Sequence, residues 1–188
     1  MAVHTNSSSQ TSEDAHRKLE KLRNNLRELD GLVVAFSGGV DSTFLLAVAA
    51  DILGNSVTAV TAASELYPEW ERQEALDFAA EIGVNHRVLE TSELNVPGFS
   101  ENPPDRCYLC KKELFGKLRQ IADENDSCAV ADGTTADDRA DYRPGREAAK
   151  EGGVISPLLD AGLYKSEIRQ LSREMGLPTS EKSSFACL

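Results

Sequence analysis

Leu32-Val33-Val34-Ala35-Phe36-Ser37-Gly38-Gly39-Val40-Asp41-Ser42 is the stretch that decides the fold. Residues 32–36 are continuously apolar, as expected of a short strand buried on both faces. Two adjacent glycines break the run, and from Thr43 to about Leu53 the chain reads as an apolar helix. Toward the C-terminus the same alternation repeats. A strand is predicted at Ser56 to Ala62, a helix at Pro68 to Ile82 ended by Gly83, and a third strand at His86 to Thr91. A loop rich in Pro, Gly and Asn (95–104) leads to a helix capped by Asp105 and running to about Glu124. The fourth strand, Ser127 to Ala131, ends in Asp132-Gly133-Thr134, and a polar loop reaches Gly145. A short helix (Arg146 to Glu151), a strand at Val154-Ile155 and a helix from Lys165 to Met175, closed by Gly176 and Pro178, complete the reading. Toward the N-terminus, Leu19, Leu22, Leu26 and Leu29 repeat at spacings of three and four between Ser12, a potential N-cap, and Gly31, a stop. Strands alternating with helices predict an α/β fold with a doubly wound parallel sheet.

The chain has 188 residues, about one domain's worth, and 40% apolar content is enough for one sizeable core. Residues 1–12, rich in Ser, Thr, Asn and Gln, are expected to be a flexible tail ahead of a single domain spanning 13–188. The chain stops directly after Cys187 with no closing element, which predicts a domain cut short at its C-terminus. Lys+Arg total 20 against Asp+Glu 31, a formal charge of −11. A field of that sign repels phosphodiester backbones, so a nucleic-acid partner is not expected and a small molecule or another protein is. No window holds the roughly 18 uncharged apolar residues of a membrane span. The N-terminal residues lack the basic and apolar regions of a signal peptide, which predicts a cytoplasmic protein. In that reducing compartment the four cysteines read as metal ligands or reactive thiols rather than disulfides.

Between a strand and a helix, two glycines let backbone N–H groups approach an anion at the positive end of the helix, so residues 37–42 read as a phosphate site. The plainer alternative is a turn that serves packing alone. The GxxxxGK[ST] pattern is absent, and with it the Lys that Walker-type ATPases use on the terminal phosphates. The turn is similar to the SGGxDS pyrophosphate loop, or PP-loop, of the N-type ATP pyrophosphatases, which cleave ATP between the α and β phosphates and leave an adenylated substrate. That similarity implies ATP and Mg2+ as cofactors. It implies Asp41 as the metal-side carboxylate, Ser37, Gly38, Gly39 and Ser42 around the pyrophosphate, Thr61 to Ser64 at the adenine, and Gly133 and Thr134 as further nucleotide contacts.

From about Lys18 to Leu188 the chain resembles the ATP-dependent sacrificial sulfur transferase family, LarE, which prepares the nickel-pincer nucleotide cofactor of lactate racemase and related enzymes. The blocks that carry the resemblance are SGGVDS, Asn102 to Lys111, Asp132 to Asp138 with Asp141 to Gly145, the helix from Lys165 to Pro178, and Ser184 to Leu188. The PP-loop and the Lys165 helix are shared with GMP synthetases, NAD synthetases and tRNA thiolases, whereas Asp137 to Gly145 and Ser183 to Leu188 discriminate. The resemblance implies an enzyme that adenylates a carboxylate, with pyridinium-3,5-biscarboxylic acid mononucleotide as the expected acceptor, and then inserts sulfur with release of AMP and pyrophosphate. Family members continue past Cys187 into a segment that supplies subunit contacts, so a homo-oligomer is expected of the whole protein. Two rivals stay open: a PP-loop thiolase acting on tRNA or another acceptor, and a non-catalytic iron-sulfur or zinc binding fragment.

Cys107 and Cys110, three apart at a helix start, share one face where the helix dipole, Arg106, Lys111 and Lys112 favour thiolate. Two ligands complete neither a zinc site nor a cluster. The resemblance supplies Cys187 as the third, and three thiolates would leave one iron of a [4Fe-4S] cluster open for an extra sulfide. Other relatives give up the sulfur of the late Cys itself, so a sacrificial Cys187 stays open, as do incidental thiols. Cys128, among Ala and Val, reads as core. Asp137, Asp138 and Asp141 follow strand four at the edge where open α/β sheets bind ligands, and either hold Mg2+ and position the substrate or form a solvated acidic loop. Arg143 and Arg146 are expected at phosphate, and Lys165, at a helix start, at pyrophosphate. His4, His16 and His86 show no metal spacing and read as bystanders, and Trp70 with Tyr67 as local packing.

Overall fold

The computed structural model describes residues 6–63, 69–91, 106–124, 128–140 and 144–183. The elements are α1 (Asn6–Arg27), β1 (Leu32–Ala35), α2 (Val40–Leu53), β2 (Val57–Ala63), α3 (Glu69–Ile82), β3 (Asn85–Glu90), α4 (Arg106–Glu124), β4 (Ala129–Ala131), α5 (Pro144–Glu151), α6 (Pro157–Ala161) and α7 (Lys165–Glu174). The four strands form one parallel sheet in the order β3-β2-β1-β4, with Val34 opposite Ala59 on one side and Ala131 on the other. Alternate residues of β1 enter two cores. Leu32, Val34 and Phe36 pack with Leu22 and Leu26 of α1, Phe44 and Leu45 of α2, Phe78 of α3, and Ile168 and Leu171 of α7. Val33 packs with Val60 and Val130 against Phe115 and Leu118 of α4 and Ala148 and Ala149 of α5. Helices on both faces of a parallel sheet are the doubly wound α/β arrangement, and they explain why β1 and β4 read as unbroken apolar runs.

The order of the strands positions the site. The chain steps outward from β1 to β2 to β3 and then crosses back to β4 on the other side of β1. The crevice between the carboxyl ends of β1 and β4 is therefore the topological switch point, where ligands of open α/β sheets bind. The glycine turn leaves one strand there and Asp132-Gly133-Thr134 leaves the other.

Several local expectations need correction. The first helix starts at Asn6 rather than behind Ser12, so residues 6–12 are helical instead of a tail. Ser12 caps nothing there; its hydroxyl takes a hydrogen bond from Gln170 of α7 (3.1 Å), and a helix already nucleated and docked extends at little cost per residue. The strand at Val154-Ile155 shrinks to one parallel bridge between Ile155 and Ala131, with Ile155 N–H on Val130 O at 2.9 Å. The polar stretch after β4 contains a 3-10 helix at Ala136–Ala140. Helix α6 escaped the sequence reading because five residues carry no periodicity; Pro157 at its start and Gly162 in the left-handed region at its end define it. Cys128 is half-buried beside the second core, and its Sγ occupies the space that a Cβ on Gly31 would need. No helix among the described residues is long and apolar enough to cross a membrane.

Candidate functional site

The turn after β1 is built around Gly38, whose φ of 68° suits glycine and whose Cα faces Ala75 so closely that a Cβ would lie 3.3 Å from the Ala75 methyl. Gly39 is the extended N-cap of α2 and no side chain caps that helix. Its first-turn N–H groups consequently keep their capacity for an anion. The hydroxyls of Ser37 and Ser42 meet across the turn at 3.1 Å, and Ser42 donates to Gly39 O at 3.2 Å. Gly133, expected as a nucleotide contact, packs against this helix start: a Cβ there would lie 3.2 Å from Ser42 N. Thr134 turns inward instead, its hydroxyl donating to Asp132 Oδ2 at 2.6 Å and its N–H to Oδ1 at 3.2 Å. Asp132 is 6% exposed and also accepts from Ser156 at 2.8 Å, so it pins the loop after β4 to the strand-like Ile155 segment.

Asp41 enters the crevice from the first turn of α2. Its Oδ2 lies 3.2 Å from Lys165 Nζ, while Oδ1 is buried with no hydrogen-bond partner. Burial holds the carboxyl above the usual aspartate range; Lys165 opposes that shift and the nearby charge of Asp138 reinforces it. A buried carboxylate oxygen without a partner, beside an anion cradle, fits a divalent cation bound together with phosphate. Asp137 and Asp138 make other contacts. Asp137 Oδ2 accepts the Lys165 N–H at 2.6 Å, capping the start of α7, and Asp138 Oδ2 accepts the N–H and hydroxyl of Thr135 at 2.8 and 3.1 Å. Asp137 and Asp138, two of the carboxylates expected in catalysis, thus also shape the loop that delivers Lys165.

Two expected contacts, Thr61 and Arg146, have other partners. Thr61 lies inside β2, not after it; its buried hydroxyl donates to Phe36 O at 2.8 Å. With that proton committed, the Thr61 oxygen accepts from His86 Nε2 at 2.9 Å. His86 is therefore no bystander: it braces the end of β1, its Nδ1 is buried without a partner, and burial lowers its pKa below the usual 6.5. Arg146 gives its guanidinium to the carbonyls of Asp138 (3.1 Å) and Arg139 (3.4 Å), closing the loop rather than facing phosphate. Ser64, Asp141, Arg143 and Cys187 lie outside the described residues.

Cys107 is exposed in the first turn of α4, and Cys110, half-buried, begins its second. Lys117 of α4 donates to Glu90 O at the carboxyl end of β3 (3.3 Å), and Cys107 lies ten residues of helix, about 15 Å, before Lys117. The lysines expected to favour thiolate face α5 instead. Lys112 bonds the Tyr108 hydroxyl (2.9 Å), which donates to Glu151, and Lys111 lies along Phe115 and Gly145. Among the described residues no group of three His, Cys, Asp or Glu side chains is placed to hold a metal ion, so these residues alone do not form a cluster site. The sequence reading also missed Lys182, whose Nζ donates to Gly38 O at 3.1 Å; nothing local to residue 182 signals that contact.

The asparagine synthase family model matches residues 20–98, the segment from α1 through the glycine turn and beyond β3. An uncharacterized protein of Synechocystis sp. is 45% identical over 91% of the chain and 64% of its own length. The pyridinium-3,5-bisthiocarboxylic acid mononucleotide synthase of Lactiplantibacillus plantarum is 41% identical over 84% of the chain and 57% of its own length. Over most of its length the chain is thus similar to a LarE-type synthase. It spans roughly 60% of the length of these two relatives. The structure of NMN synthetase from Francisella tularensis superimposes with a TM-score of 0.72 over 90% of the chain and 75% of its own, at 18% identity, so the chain shares its α/β architecture.

Proposed function

We propose that this chain is a LarE-type protein and carries the adenylating centre of an ATP-dependent sulfur transferase. The observation that supports it is the uncapped start of α2, with the Ser37 and Ser42 hydroxyls beside it and Asp41 opposite Lys165 at the switch point. A carboxylate is a poor electrophile at neutral pH, and joining it to AMP provides a leaving group. The protein's work is alignment and charge stabilisation: backbone N–H groups and hydroxyls hold the pyrophosphate, Lys165 moves its charge to it, and Asp41 holds Mg2+, which neutralises phosphate charge when bound. The proposed acceptor is pyridinium-3,5-biscarboxylic acid mononucleotide, the unsulfurated form of the compound for which the L. plantarum relative is named. The charge of −11 gives no support for tRNA in that role. We place the whole protein in the cytoplasm as a homo-oligomer, on the strength of the family resemblance.

MgATP and acceptor should yield AMP and pyrophosphate, and Asp41→Asn should abolish turnover while the fold survives; release of ADP and orthophosphate would refute the assignment. For the sulfur, we propose that Cys107, Cys110 and Cys187 act as one set ligating a [4Fe-4S] cluster. Any one Cys→Ala change should then remove iron and transfer together and leave the polypeptide mass unchanged by turnover. Loss of about 34 Da from the chain after one turnover would instead assign the sulfur to Cys187 itself.

A further inference from the structure

We infer that Lys182 is a positioning residue for the phosphate site: from behind the loop it fixes the Gly38-Gly39 peptide so that the Gly39 N–H faces the anion. The inference rests on the reading of residues 37–42 as a nucleotide site. In a trans peptide the C=O and N–H point to opposite sides, and the described residues contain no cis bond. Lys182 Nζ donates to Gly38 O at 3.1 Å, so the Gly39 N–H of the same peptide points away from Lys182, toward Ser37 Oγ. That second contact is long, 3.4 Å, which leaves the N–H available to a stronger acceptor.

Two successive glycines make such a hold necessary. A diglycine peptide can rotate at small steric cost, because neither residue has a Cβ to resist positive φ. Rotated, it would present a carbonyl oxygen to a phosphate oxygen, replacing attraction by repulsion. Lys182 blocks that state and is itself held from two sides. Its ammonium pairs with Glu74 of α3 at 2.6 Å, with the side chain only 18% exposed. Its backbone is gripped by Arg169 of α7, which donates to Ser180 O and Lys182 O, each at 2.6 Å. The ammonium therefore lies behind the loop and acts through the peptide, which distinguishes it from a Walker-type Lys touching phosphate directly.

Steady-state pyrophosphate release with MgATP as the varied probe and the carboxylate acceptor held in excess, on the full chain, tests this. Lys182→Met should raise the KM for ATP by roughly tenfold or more, the loss of one charge-assisted hydrogen bond, with a smaller change in kcat. Lys182→Arg, which can donate to the same carbonyl, should recover most of it. Glu74→Gln, which keeps the ammonium but weakens its anchor, should give an intermediate KM and serves if Lys182→Met does not fold. Hydrogen exchange provides a second readout: MgATP should protect the amides of residues 38–42 in the parent and fail to do so in Lys182→Met at matched concentration. An unchanged KM in both Lys182→Met and Glu74→Gln, or equal losses in the Met and Arg variants, would overturn the positioning role. Absence of MgATP binding to the parent protein would overturn the nucleotide reading beneath it.

Discussion

Adding one methyl group at Gly133 should separate the site's geometry from the fold's stability. Gly133 does not occupy the left-handed region, so alanine is tolerated by the backbone there. The space is the constraint: the new Cβ would lie 3.2 Å from Ser42 N, 3.5 Å from Ser42 Cα and 3.6 Å from Asp41 C. All three are backbone atoms in the first turn of α2, and relieving the shortest contact needs a shift of a few tenths of an ångström. Mild overpacking of this kind costs about 1 kcal/mol, and the stiffer unfolded chain returns about 0.4–1 kcal/mol, so the net change in stability should be under about 1 kcal/mol. The melting temperature should move by less than about 4 °C. The shift falls on the donors of the proposed phosphate site, where weakening hydrogen bonds to a charged ligand by about 1.4 kcal/mol raises the KM for ATP tenfold. Gly31→Ala is the control. Its Cβ would overlap Cys128 Sγ and lie 3.1 Å from Ser56 O, at the opposite end of β1, so stability should fall by about 1–3 kcal/mol with the KM unchanged. Pyrophosphate release and thermal melts on both variants decide it. An unaltered KM in Gly133→Ala, or equal increases in both, would refute the reasoning.

Two further outcomes follow from charge. Burial depresses the pKa of folded His86 below 6.5, so the unfolded chain binds a proton that the folded chain refuses, and stability should fall as pH drops through about 6.5 toward the folded value. Urea midpoints measured from about pH 7.5 to 5 should show this slope reduced in His86→Asn; equal slopes in the two proteins would remove His86 as the cause. With a net charge of −11, self-repulsion opposes the folded state, so melting temperatures should rise between about 0.05 and 1 M KCl; a flat or falling trend would count against repulsion as a significant term.

The elements legible in the sequence were those carried by long or strongly patterned segments. Leu32 to Ala35, the glycine turn and α2 were readable because an apolar strand, two glycines and an apolar helix follow one another without interruption. Asp41 and Lys165 were both singled out, each at a helix start, and the fold brings them to 3.2 Å. What stayed hidden depends on tertiary contact. The hydroxyl of Thr61 is spent on Phe36 O, and the guanidinium of Arg146 on two loop carbonyls, because a buried or loop-closing polar group satisfies the nearest backbone acceptor first. Gly133 reads from sequence as a phosphate-loop glycine, yet its immediate constraint is the approach of α2, which no local pattern encodes. Lys182 sits in a polar stretch indistinguishable from any exposed lysine until Arg169 and Glu74 are seen to hold it.

The glycine turn is not an autonomous site, because α7 supplies its supports from more than a hundred residues away. Lys165 at the start of α7 faces Asp41, and Arg169, one turn further, grips the segment that brings Lys182 beneath Gly38. The helix is itself fastened: Asp137 caps the Lys165 N–H at 2.6 Å, Glu167 pairs with Lys18 of α1 at 2.6 Å, and Ile168 and Leu171 are buried against the β1 face of the sheet. Removing α7 would leave the Asp41 carboxylate in a low-dielectric crevice without its cation, a state that favours protonation and forfeits the negative charge on which the proposed metal site depends. It would also free the diglycine peptide to turn. Residues 20–98, which carry the match to the asparagine synthase family model, thus contain the loop but not the two lysines that give it charge balance and direction. The proposed nucleotide site is therefore complete only when the segment 165–182 closes the switch point from its far side.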